Sequence, residues 1–349
     1  MDQHLNQLPL SVLELATVIE GGNAATAIQG TVEVAQHAEK LGYTRLWLAE
    51  HHNMEHIASS ATAVLIGHVA SHTKTIRVGS GGVMLPNHSP LVIAEQFGTL
   101  ETLYPGRIDL GLGRAPGTDQ VTAMALRRGN LQTAYNFPSD IHDLQRYFSN
   151  TDPQAKVRAF PGEGLDIPLW VLGSSTDSAH LAAKLGLPYA FATHFAPTQF
   201  EAASRIYKQN FQPSAQLKEP YLIACVNVMA ADTDEEAELL ASSLYKMFLG
   251  LLTNTRGPLL PPGPMPSFFY NPEVQQAVQS MVSCTFTGNR LRLREKLSVF
   301  VAKHGIDELM VTSHIYDQEA KLHSFSLLKE ALHGTVHSEN EKESLQEAK

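Results

Sequence analysis

Glu50-His51-His52 follows directly on the apolar run Leu46-Trp47-Leu48-Ala49, which sets an imidazole at the end of a short buried strand. Histidine changes charge near neutral pH, so a ring placed there can shuttle a proton, hold an anion or hydrogen-bond a reacting oxygen. A lone histidine after a strand is more often a cap or a satisfied core residue. Two further strand ends nearby favour the functional reading of His51: Ile76 to Pro86, which contains Ser80-Gly81-Gly82, and Pro105 to Gly117, which contains Gly111-Leu112-Gly113-Arg114. Gly81 and Gly82 let a flat ligand approach the backbone closely, although a bend or bulge would use the same residues. Arg114 follows a glycine at a strand end, where its forked donors can reach a phosphate; a surface salt bridge would place it equally well. Gly173-Ser174-Ser175-Thr176-Asp177-Ser178 stands between a strand and a helix and offers N–H groups, a helix dipole and hydroxyls, the set that receives phosphate. An ordinary N-cap cluster has the same composition, and Arg114 is the second phosphate-type group that separates the two readings.

Three better-known motifs are weaker. His52-Asn53-Met54-Glu55-His56 matches the H-x-x-E-H pattern of a zinc hydrolase, but that pattern needs a regular helix, and this segment reads as a strand running out into a loop. It stands as the remote alternative from another class. Gly111-Leu112-Gly113-Arg114-Ala115-Pro116-Gly117 imitates a dinucleotide fingerprint, yet proline stands where the pattern requires glycine and no helix opens there. The nucleophile-elbow pattern G-x-S-x-G is not met at Gly173, so an acyl-transfer serine is not indicated.

The elements around these residues alternate. Leu10–Val18 reads as a strand, Ala27–Leu41 as a helix stopped at Gly42, Arg45–Ala49 as a strand, and Ser59–Ser71 as a helix with a serine cap. Ile76–Leu85 is a strand, Ser89–Leu103 a helix with Pro90 in its first turn, and Ile108–Gly113 a strand. The second half repeats the order: strands Leu169–Leu172, Tyr189–Ala192, Tyr221–Ala230 and Glu308–Thr312, with helices Asp177–Leu185, Thr198–Asn210, Asp234–Gly250, Leu291–Lys303 and Ala320–Leu332. Strand–helix repeats with short links imply parallel strands and right-handed crossovers, and eight such strands imply a closed (β/α)8 TIM barrel, whose chemistry sits at the carboxyl ends of the strands. Residues 150–168 are polar and turn-rich. Residues 253–287 carry Pro258, Pro261, Pro262, Pro264 and Pro266 followed by Phe268-Phe269-Tyr270, and an insertion of this kind after strand seven reads as a lid over the barrel mouth.

A chain of 349 residues with 43% apolar and 17% charged residues can form one large barrel, expected over residues 1–336, with a charged, frayed tail from His337 to Lys349. The net charge of −9 and the lack of any Lys/Arg run argue against nucleic acid as a partner and for a neutral small molecule or a protein. The two cysteines, Cys225 and Cys284, suit neither a disulfide framework nor a thiolate metal site. With neither a leader-like start nor a long apolar run, a cytoplasmic location and no membrane partner are expected.

Taken together and in order, Ala49-Glu50-His51-His52, Val78 to Pro86, Pro105 to Arg114 and Leu172-Gly173-Ser174-Ser175 resemble the bacterial luciferase-like flavin-dependent monooxygenases, from Ser11 to about Leu332. The resemblance lies in an alkanal-monooxygenase-like branch. It implies a TIM barrel that binds FMN, reduced by a separate flavin reductase, and reacts with O2 to give a C4a-(hydro)peroxyflavin that oxidises a small organic substrate. It makes His51 the catalytic histidine and Gly81-Gly82 a cis peptide beneath the flavin ring. It assigns Arg114 to the phosphate, with Ser174, Ser175 and Ser178 supplying donors there and Ala49 among the cofactor contacts. A homodimer is implied, with coenzyme F420 as alternative cofactor for hydride transfer, and a non-catalytic flavin-binding protein as the alternative outside enzymes. The chain departs from luciferase itself at Ser174, where that enzyme has an acid, and at Gly113, where it has a reactive cysteine, so a long-chain aldehyde substrate is not carried over.

Overall fold

The computed structural model describes residues 5–127 and 135–334. The expected tail from His337 lies outside them. Eight parallel strands close a ring: β1 (Leu10–Glu14), β2 (Arg45–Leu48), β3 (Arg77–Met84), β4 (Ile108–Gly113), β5 (Leu169–Gly173), β6 (Tyr189–Phe191), β7 (Leu222–Ala230) and β9 (Glu308–Thr312), the last pairing back onto β1. A ninth strand, β8 (Thr285–Gly288), pairs among the described residues only with the far part of β7, from Asn227 to Ala230. It was not expected, because four residues inside a proline-rich insertion carry no period. The barrel strand Glu308–Thr312 is therefore eighth in the ring and ninth in the chain.

The helices follow their strands: α1 (Ala24–Lys40), α2 (Thr62–Ser71), α3 (Pro90–Leu103), α4 (Gln120–Leu126), α5 (Phe137–Phe148), α6 (Thr176–Leu185), α7 (Phe200–Asn210), α8 (Asp234–Leu252), α9 (Pro272–Met281), α10 (Arg290–His304) and α11 (Gln318–His333). The local chemistry accounts for most of their ends. Asn23 and Thr26 form a reciprocal capping box on α1, Pro90 opens α3, and Gly186 and Gly305 end α6 and α10 in the left-handed region. The serine cap expected on α2 is not there: the helix starts after Ala61 without a side-chain cap, and the Thr62 hydroxyl donates back to the Ala49 carbonyl at 3.1 Å.

Strand alternation sorts the core. On β7, Leu222, Ala224, Val226, Val228 and Ala230 join the layer between sheet and helices, whereas Ile223 and Cys225 point into the barrel with Leu13, Trp47, Ala49, Trp170, Ala190 and Met310. The amino end of the barrel is plugged by charge. Arg45 pairs with Asp109 at 2.8 Å and with Glu308 at 2.9 Å, Arg77 reaches Asp109 at 2.6 Å, and Trp47 Nε1 and Tyr221 Oη donate to Asp109 and Glu308. The Arg45 guanidinium also lies 4.6 Å from the centre of the Trp170 ring. Removing one partner of a buried pair of this kind costs about 3–5 kcal/mol, since the other charge is left without compensation. A plugged floor leaves the carboxyl ends of the strands as the working face.

The segment expected as a lid is more regular than its prolines suggest. It contains a short turn of helix at Ser267–Tyr270, then α9 and β8, and Val278, Met265 and Phe269 pack with Met229, Leu244 and Phe248 at the end of β7 and on α8. Leu259 pairs with the backbone at Val18 and Glu20. Residues 150–168 hold no helix or strand, as expected.

Candidate active site at the barrel mouth

His51 leaves the end of β2 on the inward register. Its Nδ1 donates to the carbonyl oxygen of Gly117 at 3.2 Å, and burial lowers the pKa of the ring below its ordinary value. The neutral ring therefore carries its proton on Nδ1 and leaves Nε2 bare. The same Gly117 carbonyl accepts the backbone N–H of His52 at 3.3 Å. Gly117 has φ +65°, and a Cβ on it would stand 2.7 Å from the Glu50 carbonyl oxygen, so only glycine makes this turn.

Glu50 lies behind His51 and is 2% exposed. Its Oε1 accepts from His52 Nε2 at 2.9 Å and His88 Nε2 at 2.8 Å, and its Oε2 from the Met84 N–H at 3.2 Å. Burial works against the charge, but these donors outweigh it and hold the carboxyl at about 2. Glu50 thus joins the exit of β2 to the exit of β3. The zinc pattern His52, Glu55, His56 is not assembled: the segment is turn and bend rather than helix, Glu55 is exposed, and His52 is committed to Glu50. Among the described residues, the potential ligand atoms that do converge are those of Glu50, His52 and His88, and the carboxylate oxygen among them already receives two N–H donors.

The peptide between Gly81 and Gly82 is cis, as the resemblance implied. A Cβ on Gly81 would stand 2.7 Å from Leu13 Cδ1 and 2.9 Å from Trp47 Cβ, and one on Gly82 would stand 2.8 Å from the Gly111 carbonyl oxygen. The glycines are thus required by strand packing within the barrel wall, in addition to any ligand. Ala49 is buried on the same inner wall; its N–H donates to the Glu14 carbonyl and its carbonyl accepts from Thr62, so only its methyl is left to meet a ligand.

Arg114 and the start of α6 come together across β4 and β5, as the sequence implied. Arg114 is half exposed, and its Nη2 lies 3.6 Å from Asp177 Oδ2 in the first turn of α6. Ser175 is the N-cap of α6 and its side chain makes no cap bond, while the Thr176 N–H donates to Gln199 Oε1. Ser174 precedes it on the inward register of β5. Ser178 behaves differently from expectation: its hydroxyl donates to the Ser175 carbonyl at 2.7 Å and pairs with Tyr189 Oη at 2.8 Å, so the hydroxyl is held beneath the strand end.

The opposite side of the mouth carries residues that the sequence reading missed. His194 follows β6, Asn227 lies inward on β7, and His314 follows β9. Burial and the neighbouring His314 and His51 push His194 down to about 3, and burial with Lys321 nearby pushes His314 down to about 4. Each follows or lies within an apolar strand, as His51 does, so the rule that found His51 would have found them. Beside the His51 loop, Asn53, Met54, Glu55, His56, Asp119 and Arg256 line an open cleft of about 560 Å³.

A family profile described as luciferase-like monooxygenase matches residues 10–281. A luciferase-like monooxygenase of Escherichia coli K12 is 51% identical over 330 residues, covering 94% of this chain and 98% of that protein. An N-acetyl-S-alkylcysteine monooxygenase of Bacillus subtilis is 40% identical over 236 residues, covering 66% of this chain and 70% of its own. In structure, apo-MsnO8 superposes with TM-score 0.84 at 34% identity, over 94% of this chain and 99% of that one. Among solved proteins of the same barrel, a Baeyer-Villiger monooxygenase is held with FMN and an alcohol dehydrogenase depends on F420, at 17% and 15% identity, which shows a shared fold alone. With the profile spanning most of the barrel and relatives matched almost end to end, the chain belongs to the luciferase-like monooxygenase family.

Proposed function

We propose that this chain is an FMN-dependent monooxygenase that uses reduced FMN and O2 on a small organic substrate. The observation that carries the proposal is the pairing of a neutral His51 with bare Nε2 on one side of the mouth with Arg114 and the N-terminus of α6 on another. The residues fit the cofactor: Arg114 is half exposed with only a 3.6 Å acidic neighbour, and the side chain of Ser175 leaves the first turn of α6 uncapped. A phosphate there gains a guanidinium, a helix dipole and N–H donors. The glycine stretch Gly81-Gly82 supplies a wall without side chains for the ring. When bound and reduced, FMN supplies the electrons that activate O2.

The protein's part is to position and to manage protons. His51, held by Gly117, presents an acceptor nitrogen that can take and return a proton at the reacting centre. Glu50 keeps the loops after β2 and β3 in register. Residues 253–271 act as a lid whose closure excludes water. The reduced cofactor comes from a separate flavin reductase, and the protein works as a cytoplasmic homodimer. The N-acetyl-S-alkylcysteine of the Bacillus relative is the first substrate class to assay.

An absorbance titration of the purified protein with FMN and with F420 tests the reading, followed by turnover under labelled dioxygen. FMN binding with label in the product supports it. F420 binding with hydride transfer and no label would assign the site to the alternative activity, and flavin binding without any turnover would make it a binding protein.

A further inference from the structure

Buried polar atoms almost always find partners, and one left without costs the fold unless a ligand supplies the missing bond. Seven buried side-chain atoms have none among the described residues. Two of them, His194 Nδ1 and Asn227 Oδ1, belong to residues in direct contact at the mouth. The chain turns after β6, and this turn sets the His194 backbone against the Asn227 side chain on β7. Asn227 Nδ2 donates to the His194 carbonyl at 2.6 Å and to Thr285 Oγ1 at 3.3 Å, which fixes the amide orientation, since a flipped group would set oxygen against that carbonyl. Its Oδ1 is therefore an acceptor that calls for a donor. Asn227 itself is 1% exposed.

His314 completes the group. It is 5% exposed, it lies near enough to His194 to disfavour the charged form of that ring, and neither of its ring nitrogens has a protein hydrogen-bond partner among the described residues. Asn227 pairs in register with Thr312, which brings the end of β9 to the same level. Of the groups bordering the pair, Lys321 is already bound to Glu14 at 2.7 Å. The surface at this place is uncharged, with one fixed acceptor beside imidazoles that can donate. That complement matches neither a carboxylate nor a phosphate.

We infer that His194, Asn227 and His314 form the substrate-recognising side of the mouth and take an amide group, with its N–H donating to Asn227 Oδ1 and its carbonyl accepting from a histidine ring. The inference rests on the proposed function for what the substrate meets, and it names the class of substrate. A site built around a hydrogen bond discriminates strongly against an analogue that lacks it, because the acceptor is then left buried and empty.

The test compares N-butylacetamide with butyl acetate, which has the same shape and lacks the N–H. Binding to the full-length protein, labelled with 15N-histidine, is read from the histidine ring signals with and without FMN. The amide should bind about tenfold tighter than the ester. Asn227→Leu should reduce that preference to near unity, whereas His194→Phe should weaken amide and ester alike, since both carry the carbonyl that the ring receives. Equal binding of amide and ester to the wild type, or an unchanged affinity for both in His194→Phe, would overturn the inference. If Asn227→Leu does not fold, those two measurements still decide it. A protein that binds neither FMN nor F420 yet keeps the amide preference would sink the flavin reading and leave this site standing.

Discussion

His51 Nδ1 lies 3.2 Å from the carbonyl oxygen of Gly117, and a carbonyl can only accept. The bond therefore sets the tautomer and aims Nε2, as a bare base, into the mouth. His51→Ala should keep the fold and most of the FMN affinity, because the ring contributes to neither Arg114 nor the floor of the barrel. What changes is the fate of the electrons: more of the reduced flavin consumed should end as hydrogen peroxide and less as product. Peroxide yield per flavin oxidised, measured beside circular dichroism, checks this, and an unchanged yield would remove His51 from the oxygen chemistry.

Arg114→Ala should weaken FMN about ten- to a hundredfold, in line with the roughly 1.5–3 kcal/mol of a hydrogen bond to a charged group. Riboflavin, which lacks the phosphate, should bind to both proteins alike. Fluorescence titration of the two ligands distinguishes a phosphate contact from general damage to the site. Parallel losses would assign Arg114 to structure.

Glu50→Gln should destabilise the protein by about 1–3 kcal/mol at pH 7, because an amide has one acceptor oxygen and its NH2 would face donors. The sign with pH follows from a carboxyl depressed to about 2 in the fold against an ordinary 4.5. Its contribution is complete above about pH 4.5 and is lost as pH falls from there toward 2. Urea unfolding at pH 7 and pH 3.5 should show the gap between wild type and Glu50→Gln narrowing at the lower pH. A gap that stays constant would mean that Glu50 holds its neighbours by shape alone.

The barrel was legible in the sequence because each of its strands is an apolar run bounded by glycine, proline or a polar turn, and a strand's carboxyl end can be marked without knowing its neighbours. That was enough to place His51, Gly81, Gly82 and Arg114. The Glu50–His88 bond was not legible, since it joins residues on two loops whose relative height depends on the β2–β3 register. Nor was the inward commitment of Ser178, which depends on Tyr189 arriving from the next strand. His194 and His314 were missed for another reason: they follow β6 and β9 without the glycines that drew attention to β3 and β4. In residues 253–287 the prolines masked α9 and β8, whose stability comes from packing on α8 and β7 and not from their own periodicity.

Among the described residues, trypsin should cut first after Arg256. Residues 251–256 are exposed, and the stretch that follows is held mainly by Leu259 against Val18 and Glu20, by the Gly263 N–H on Ser242 and by Lys246 on the Pro261 carbonyl. Few buried contacts make local opening cheap. If this stretch closes over the His51 loop, FMN with substrate should slow the cut, while α9 and β8 remain intact. An unchanged rate with both ligands present would leave residues 253–271 as a surface connection.

The two buried histidines of the mouth should make the fold sensitive to mild acid. His194 and His314 are held neutral by burial, at about 3 and about 4, whereas unfolded histidine titrates near 6.5. Between these values the unfolded chain binds more protons than the folded one, so stability falls as pH drops below about 6.5, to about 4 for His314 and to about 3 for His194. Each such histidine contributes a slope of up to about 1.4 kcal/mol per pH unit in that window. The Glu50 contribution is complete above about pH 4.5, so between pH 6.5 and 4.5 the histidine effect is read without it. Other histidines with lowered pKa, among them His51, add to the same slope, and the attribution therefore rests on a difference between proteins. His314→Gln removes one titrating ring while keeping a polar side chain that can still face a ligand. Its unfolding midpoint in urea should decline less than that of the wild type from pH 7 to pH 5, by about the slope of one histidine. Curves that run parallel across this range would mean that His314 reaches solvent and protonates in the fold, and its place beside His194 in the recognition of an uncharged substrate would go with it.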